Sequence, residues 1–99
     1  MLPQGVALRP AYSKNTSVLS EKFFNKKLGG RIREERLKTR LSQEKLSAAA
    51  GLNRTHVGRI ENSAVMPNLY TLYKIIRVLG ITFEELLDPI LAEENGKGE

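Results

Sequence analysis

From Ser20 onward the apolar residues recur at intervals of three and four, the spacing that places them on one face of an α-helix. Phe23, Phe24, Leu28 and Ile32 form the first set, with Ser20 placed to cap it. Gly29-Gly30 interrupts this set, at about 1 kcal/mol per glycine relative to alanine, so either a short helix ends there or one glycine admits a close neighbour. The pattern predicts a main first helix over residues 27–38, with a looser turn before it. After the break at Thr39-Arg40-Leu41, Ser42 caps a second helix from Gln43 to Ala50, and Glu44 in its first turn meets the positive end of the helix dipole. Gly51 ends it, because a tight helix stop needs a left-handed residue. Asn53 is expected to cap a third helix reaching about Asn62, with Val57 and Ile60 inward. Asn68 caps a fourth, built on Leu69, Leu72, Ile76 and Leu79 and stopped by Gly80. Thr82-Phe83-Glu84-Glu85 is a capping box that opens a fifth, which Pro89 either ends or follows with a further short helix. With no internal repeat and no alternating strand pattern, the prediction is an all-α, five-helix domain with an N-terminal extension.

The flanks carry a different pattern. Pro3, Gly5 and Pro10 lead into the polar run from Ser13 to Ser17, so residues 1–24 are read as an arm or extension with room for one short helix. Residues 25–91 form the helical domain, and residues 92–99 a polar tail. A chain of 99 residues holds one small core, and with 40% hydrophobic but only 6% aromatic residues that core is aliphatic. The absence of cysteine excludes a disulfide framework, thiolate metal sites and thiol catalysis. No stretch approaches the ~20 apolar residues of a spanning helix and no export signal opens the chain, so the expected location is the cytoplasm.

Charge changes the picture further. Residues 1–60 carry 13 Lys/Arg against 4 Glu, whereas residues 61–99 carry 3 against 7 acids. The basic part suits a polyanion. The paired acids Glu34-Glu35, Glu84-Glu85 and Glu93-Glu94 are sequence neighbours, which point to different helix faces and read as solvated charge, not as general acid and base. His56 is the one histidine, and neither a metal site nor a nucleophilic triad has partners at suitable spacing. With no glycine-rich phosphate loop either, the reading is not an enzyme and has no cofactor and no metal.

The segment from Gln43 to Ile60 is the most informative. Two short helices joined by so tight a turn need small residues where they cross, a glycine in the turn and apolar residues at fixed places. Leu46, Ser47, Ala50, Gly51, Leu52, Val57 and Ile60 fill those places. The outer side of the third helix then presents Arg54, Thr55 and Arg59, with His56 and Gly58 beside them. An α-helix fits the major groove of B-DNA, where arginine pairs with guanine and a threonine methyl meets the thymine methyl, so Arg54, Thr55, Arg59 and His56 are the candidate base readers. Gln43 begins the second helix, whose exposed amides suit a phosphate. Lys45, Arg40, Arg9 and Lys14 are read as solvated surface charge, with unspecific attraction to DNA as the alternative.

From about Leu28 to Asp88 the chain resembles the helix-turn-helix of the lambda-repressor and Cro-like (XRE) family of regulators. The resemblance rests on helix count, loop lengths, the Arg40-Leu-Ser-Gln-Glu-Lys-Leu46 run, Arg59-Ile-Glu-Asn62 and Pro67. Ser47 stands where the family usually has alanine, and Ser63 where glycine is commonest, so the turn after the third helix is expected to be strained or differently shaped. The resemblance implies phosphate contacts from Gln43 and Asn62, assisted by Ser42 and Ser63, and a structural ion pair between Arg36 and Glu61. The Leu52-Asn-Arg-Thr-His-Val57 stretch is similar to the recognition helix of restriction-modification controller proteins, and a phage-type repressor is the neighbouring reading.

The partner expected is double-stranded DNA, bound by a homodimer on a pseudo-palindromic operator, because one helix-turn-helix reaches few base pairs. Surplus apolar residues mark the dimer surface: Leu87, Ile90 and Leu91, with Tyr73 as a further candidate. The alternative is an antitoxin or other module that binds a protein partner as well as its own promoter, for which the acidic C-terminal part and Phe23-Phe24 leave room.

Overall fold

The computed structural model describes residues 18–97, with side chains as far as residue 92. The expectations for the first part of the arm, Arg9 and Lys14 included, lie outside the described residues. Five helices follow one another: α1 (Glu21–Thr39), α2 (Gln43–Ala49), α3 (His56–Glu61), α4 (Leu69–Leu79) and α5 (Phe83–Lys97). Among the described residues there is no strand.

α1 differs from the expectation of a helix that begins near residue 27. Ser20 Oγ accepts the Phe23 N–H at 3.1 Å, and the helix runs from there through both glycines. Of the two explanations for Gly29-Gly30, close packing is the one observed. A Cβ on Gly29 would lie 2.6 Å from the Ile60 carbonyl oxygen and 2.8 Å from that of Glu61, so only glycine lets α1 rest on the end of α3. Gly30 faces open space.

The other ends follow local chemistry. Ser42 and Asn68 accept the amides of Lys45 and Thr71, and Thr82 and Glu85 exchange the two hydrogen bonds of the capping box. Gly51 and Gly80 adopt φ of 71° and 74°. α3 departs from expectation, since its N-cap is Thr55, not Asn53. Asn53 Oδ1 instead accepts from both the amide and the hydroxyl of Thr55, so Arg54 and Thr55 sit in a tight turn before the helix.

The core is aliphatic: Leu28 and Ile32 from α1, Leu46 from α2, Val57 and Ile60 from α3, Ile75, Ile76 and Leu79 from α4, Leu86 and Ile90 from α5. On α4 the buried stripe runs through Thr71, Ile75, Ile76 and Leu79, with Leu72 partly buried against the core, and Leu69, expected in the stripe, is exposed. Ile90 also corrects the sequence reading: at 3% exposure it belongs to the core of the single chain and offers no dimer surface.

Pro89 neither ends α5 nor begins a new helix; α5 continues to Lys97, beyond the expected start of the tail. A proline has no N–H for the carbonyl four residues before it. The Arg31 guanidinium of α1 occupies that place, donating to Glu85 O at 2.8 Å and to Leu86 O at 3.0 Å. Arg31 also binds Glu35 at 2.9 Å, which Lys38 contacts at 3.0 Å. Burial raises the Glu35 pKa, but the hydrogen bonds and charges of Lys38 and Arg31 outweigh it and hold the carboxyl below its ordinary value. A carboxyl depressed in the folded state stabilises the fold above its unfolded pKa of about 4.3, and this is lost as pH falls through the folded value. We therefore expect a thermal midpoint that declines below about pH 4.3, and a Glu35→Gln variant with a shallower decline. Parallel acid profiles for the two proteins would refute the assignment.

Candidate nucleic-acid interface

The helix pair α2–α3 is set by a buried hydroxyl. Ser47 is fully buried and its Oγ accepts the Val57 N–H at 3.1 Å, so α2 supplies the bond to the first turn of α3 that Thr55 does not make. The departure from the usual alanine thus satisfies an amide at the start of α3.

A polar chain then ties the start of α2 to the end of α3. Arg36 Nε and Nη2 reach the two oxygens of Glu61 at 2.6 and 3.0 Å, a bidentate geometry. The third donor, Nη1, caps the Leu41 carbonyl at 2.9 Å. The side chains are 9% and 2% exposed, and the bond to Glu61 raises the Arg36 pKa above its ordinary value despite burial. Gln43 Nε2 donates to Glu61 Oε1 at 2.9 Å, which lays the Gln43 side chain across α3. Gly58 makes room for it, since a Cβ there would stand 2.8 Å from Gln43 Oε1. Gly58, which the sequence pattern puts on the outer side of α3, serves there as the seat of Gln43.

Over this fixed base lie the exposed groups. Arg54 is 75% exposed and meets Glu44 at 3.2 Å, a surface pair of the kind worth little in water and open to exchange. Thr55 and Arg59 are exposed, and His56 is half-buried. Among the described residues Arg59 has no ion-pair partner. The Arg54–Glu44 and Gln43–Gly58 contacts place the turn, α3 and the first turn of α2 on one surface. Ser42 is exposed; its oxygen accepts from Lys45, and its O–H stays available to donate. Asn62 is the exposed C-cap of α3. Ser63 follows in the left-handed region at φ 63°, the strained turn expected where glycine is missing. α1 braces it, with Asn25 Nδ2 donating to Ser63 O at 3.3 Å and Ser63 Oγ to Asn25 O at 3.5 Å.

Sequence reasoning missed the Arg31–Leu86 and Asn25–Ser63 contacts, which join residues 55 and 38 positions apart along the chain and leave no local signal. Among the described residues no three His, Cys, Asp or Glu side chains gather as metal ligands, and no helix is long and apolar enough to cross a membrane.

A short α2 crossed by α3, with Arg54 of the turn and Arg59 of α3 exposed, held in a bundle by α1, α4 and α5, defines a helix-turn-helix domain. The Helix-turn-helix family model matches residues 32–86, more than half of the chain. The chain belongs to this family, the XRE-type helix-turn-helix DNA-binding regulators. It is 38% identical over 61 residues to control protein C.BamHI of Bacillus amyloliquefaciens, covering 61% of this chain and 75% of that protein. It is 33% identical over 61 residues to the ImmF control region 10 kDa protein of Bacillus phage phi105, covering 62% of this chain and 68% of that one. Among solved structures it is similar to the restriction-modification controller protein C.AhdI from Aeromonas hydrophila, with a TM-score of 0.62, 36% identity, and coverage of 65% of this chain and 97% of that one.

Proposed function

We propose that this protein is a transcriptional regulator that binds a pseudo-palindromic operator as a homodimer, in the manner of a restriction-modification controller. The observation that carries this reading is the Arg36–Glu61–Gln43 chain beneath an exposed Arg54, Thr55 and Arg59. A rigid base holds the groups that meet the backbone, and the exposed groups above it, Arg54 in a surface pair open to exchange, are placed to read bases in the major groove. Gln43, Ser42 and Asn62 are assigned to phosphates, joined by Ser63 if its hydroxyl exchanges the long 3.5 Å bond to Asn25 O for a phosphate oxygen, and Arg54, Thr55, His56 and Arg59 to base edges. The likeness to C.AhdI, a restriction-modification controller by name, supports the subclass.

The homodimer needs an apolar surface that one chain leaves uncovered. Leu91 and Tyr73 are 50% and 47% exposed and Leu87 is half-buried, and these three keep the assignment that Ile90 loses.

Arg54→Ala is expected to lose discrimination at a particular base pair, by about 1–3 kcal/mol, whereas Gln43→Ala weakens binding to all sequences alike. Competition binding with a selected duplex and its point variants measures both. Equal losses for Arg54→Ala on specific and random DNA would contradict its assignment.

A further inference from the structure

The family match begins at residue 32, but α1 begins eleven residues earlier, at Glu21. This first stretch of helix adds Lys22, Lys26, Lys27 and Arg31 against one acid, Glu21. Two of the four cations are already engaged: Arg31 by Glu34 and Glu35, and Lys27 by the Phe23 ring at 5.0 Å. Lys22 and Lys26 are exposed and have no ion-pair partner among the described residues. Four residues apart, they share a helix face.

That face looks onto the end of α3. Lys22, Asn25 and Lys26 line one side of an open groove of about 390 Å³, and Asn62 and Ser63 line the other. The two Asn25–Ser63 hydrogen bonds fix the sides against each other, and Gly29, one turn further along α1, rests on the Ile60 and Glu61 carbonyls. Glu21 lines a different groove, with Phe24 and Leu91, and Glu34, which shares a groove with Lys26, is paired to Arg31; neither acid makes an ion pair with the two lysines among the described residues. Thus two unpaired ammonium groups flank the polar end of the recognition helix on a rigid support.

We infer that Lys22 and Lys26 form an additional phosphate-binding site for double-stranded DNA, which carries the contact from Asn62 and Ser63 onto neighbouring backbone phosphates. This rests on the DNA-binding reading given above and lengthens its footprint with α1 residues that lie before the family match. The site adds affinity and salt dependence and reads no sequence, because an ammonium group is a point charge for phosphate.

The test is a Lys22→Gln/Lys26→Gln variant of the full chain, with circular dichroism confirming an unchanged fold. Each neutralised phosphate contributes about 0.9 to the slope of log affinity against log salt, so the variant should lose roughly 2 from the slope. Between about 50 and about 200 mM salt, its affinity should therefore fall roughly tenfold less than that of the parent. Base preference should not change, and ethylation of phosphates beside those met by Asn62 should hinder the parent but not the variant. An unchanged slope would overturn the inference and leave the lysines as solvated charge. A fall in slope for Arg77→Gln of half the double variant's size or more, for the single exposed charge it removes on α4, would also overturn it as an effect of net charge alone. If the parent prefers no sequence, the operator reading fails separately, and the slopes on random duplex still decide the role of the lysines.

Discussion

Glu61→Ala is expected to lower stability by about 3–5 kcal/mol, because it strands the buried guanidinium of Arg36 without its carboxylate. For a small domain with about 5–15 kcal/mol in total, this is a large share. Urea denaturation of parent and variant at neutral pH measures it. The size follows from burial: the exposed Arg54–Glu44 pair, removed by Glu44→Ala, should change stability by less than about 1 kcal/mol. Replacing both buried partners by apolar residues, Arg36→Met with Glu61→Leu, should recover a good part of the loss, since no charge then remains stranded. Glu61→Ala also removes the acceptor of Gln43, so the variant should bind DNA more weakly even where it is fully folded. A cost for Glu61→Ala as small as that for Glu44→Ala would mean that the Arg36–Glu61 pair does not set the α1–α3 junction.

Gly29→Ala and Gly30→Ala should have opposite signs. At Gly29 the new methyl would meet two backbone carbonyl oxygens within 2.8 Å, and backbone at the end of a packed helix has little room to give. The expected loss is about 1–3 kcal/mol or more, as for other overpacked sites. At Gly30 nothing lies within 4 Å, and alanine in an open helical position gains about 1 kcal/mol. Thermal unfolding of both variants decides it. Equal effects would show that α1 does not depend on glycine for its approach to α3.

These two glycines mark what the sequence carries and what it does not. Helix ends fixed by neighbours are legible from type and spacing alone: the Ser20, Ser42 and Asn68 caps, the Thr82–Glu85 box, and Gly51 and Gly80. Gly29-Gly30 resembles a break because its cause, the carbonyls of Ile60 and Glu61, lies in another helix. Pro89 resembles a stop for the same reason, since the donor that replaces its missing N–H is Arg31 on α1. Asn53 has the right type for a helix cap and forms a turn with Thr55 instead, one turn earlier than the helix. Ile90 shares its apolar character with Leu91, and only the packing of α5 on α1 separates core from surface.

In the interface, residue types and order are readable because a helix crossing at a tight turn demands small residues and glycine at fixed offsets. The polar chain that holds Gln43 across Gly58 is not, because its members come from three helices and meet only after folding.

Selection of bound sequences from random duplexes, followed by the salt dependence of the recovered site, tests the central claim most directly. The expected result is a pseudo-palindrome with half-sites about one helical turn, ~34 Å, apart, bound with a steep negative salt slope. Weak binding that favours no sequence would contradict it.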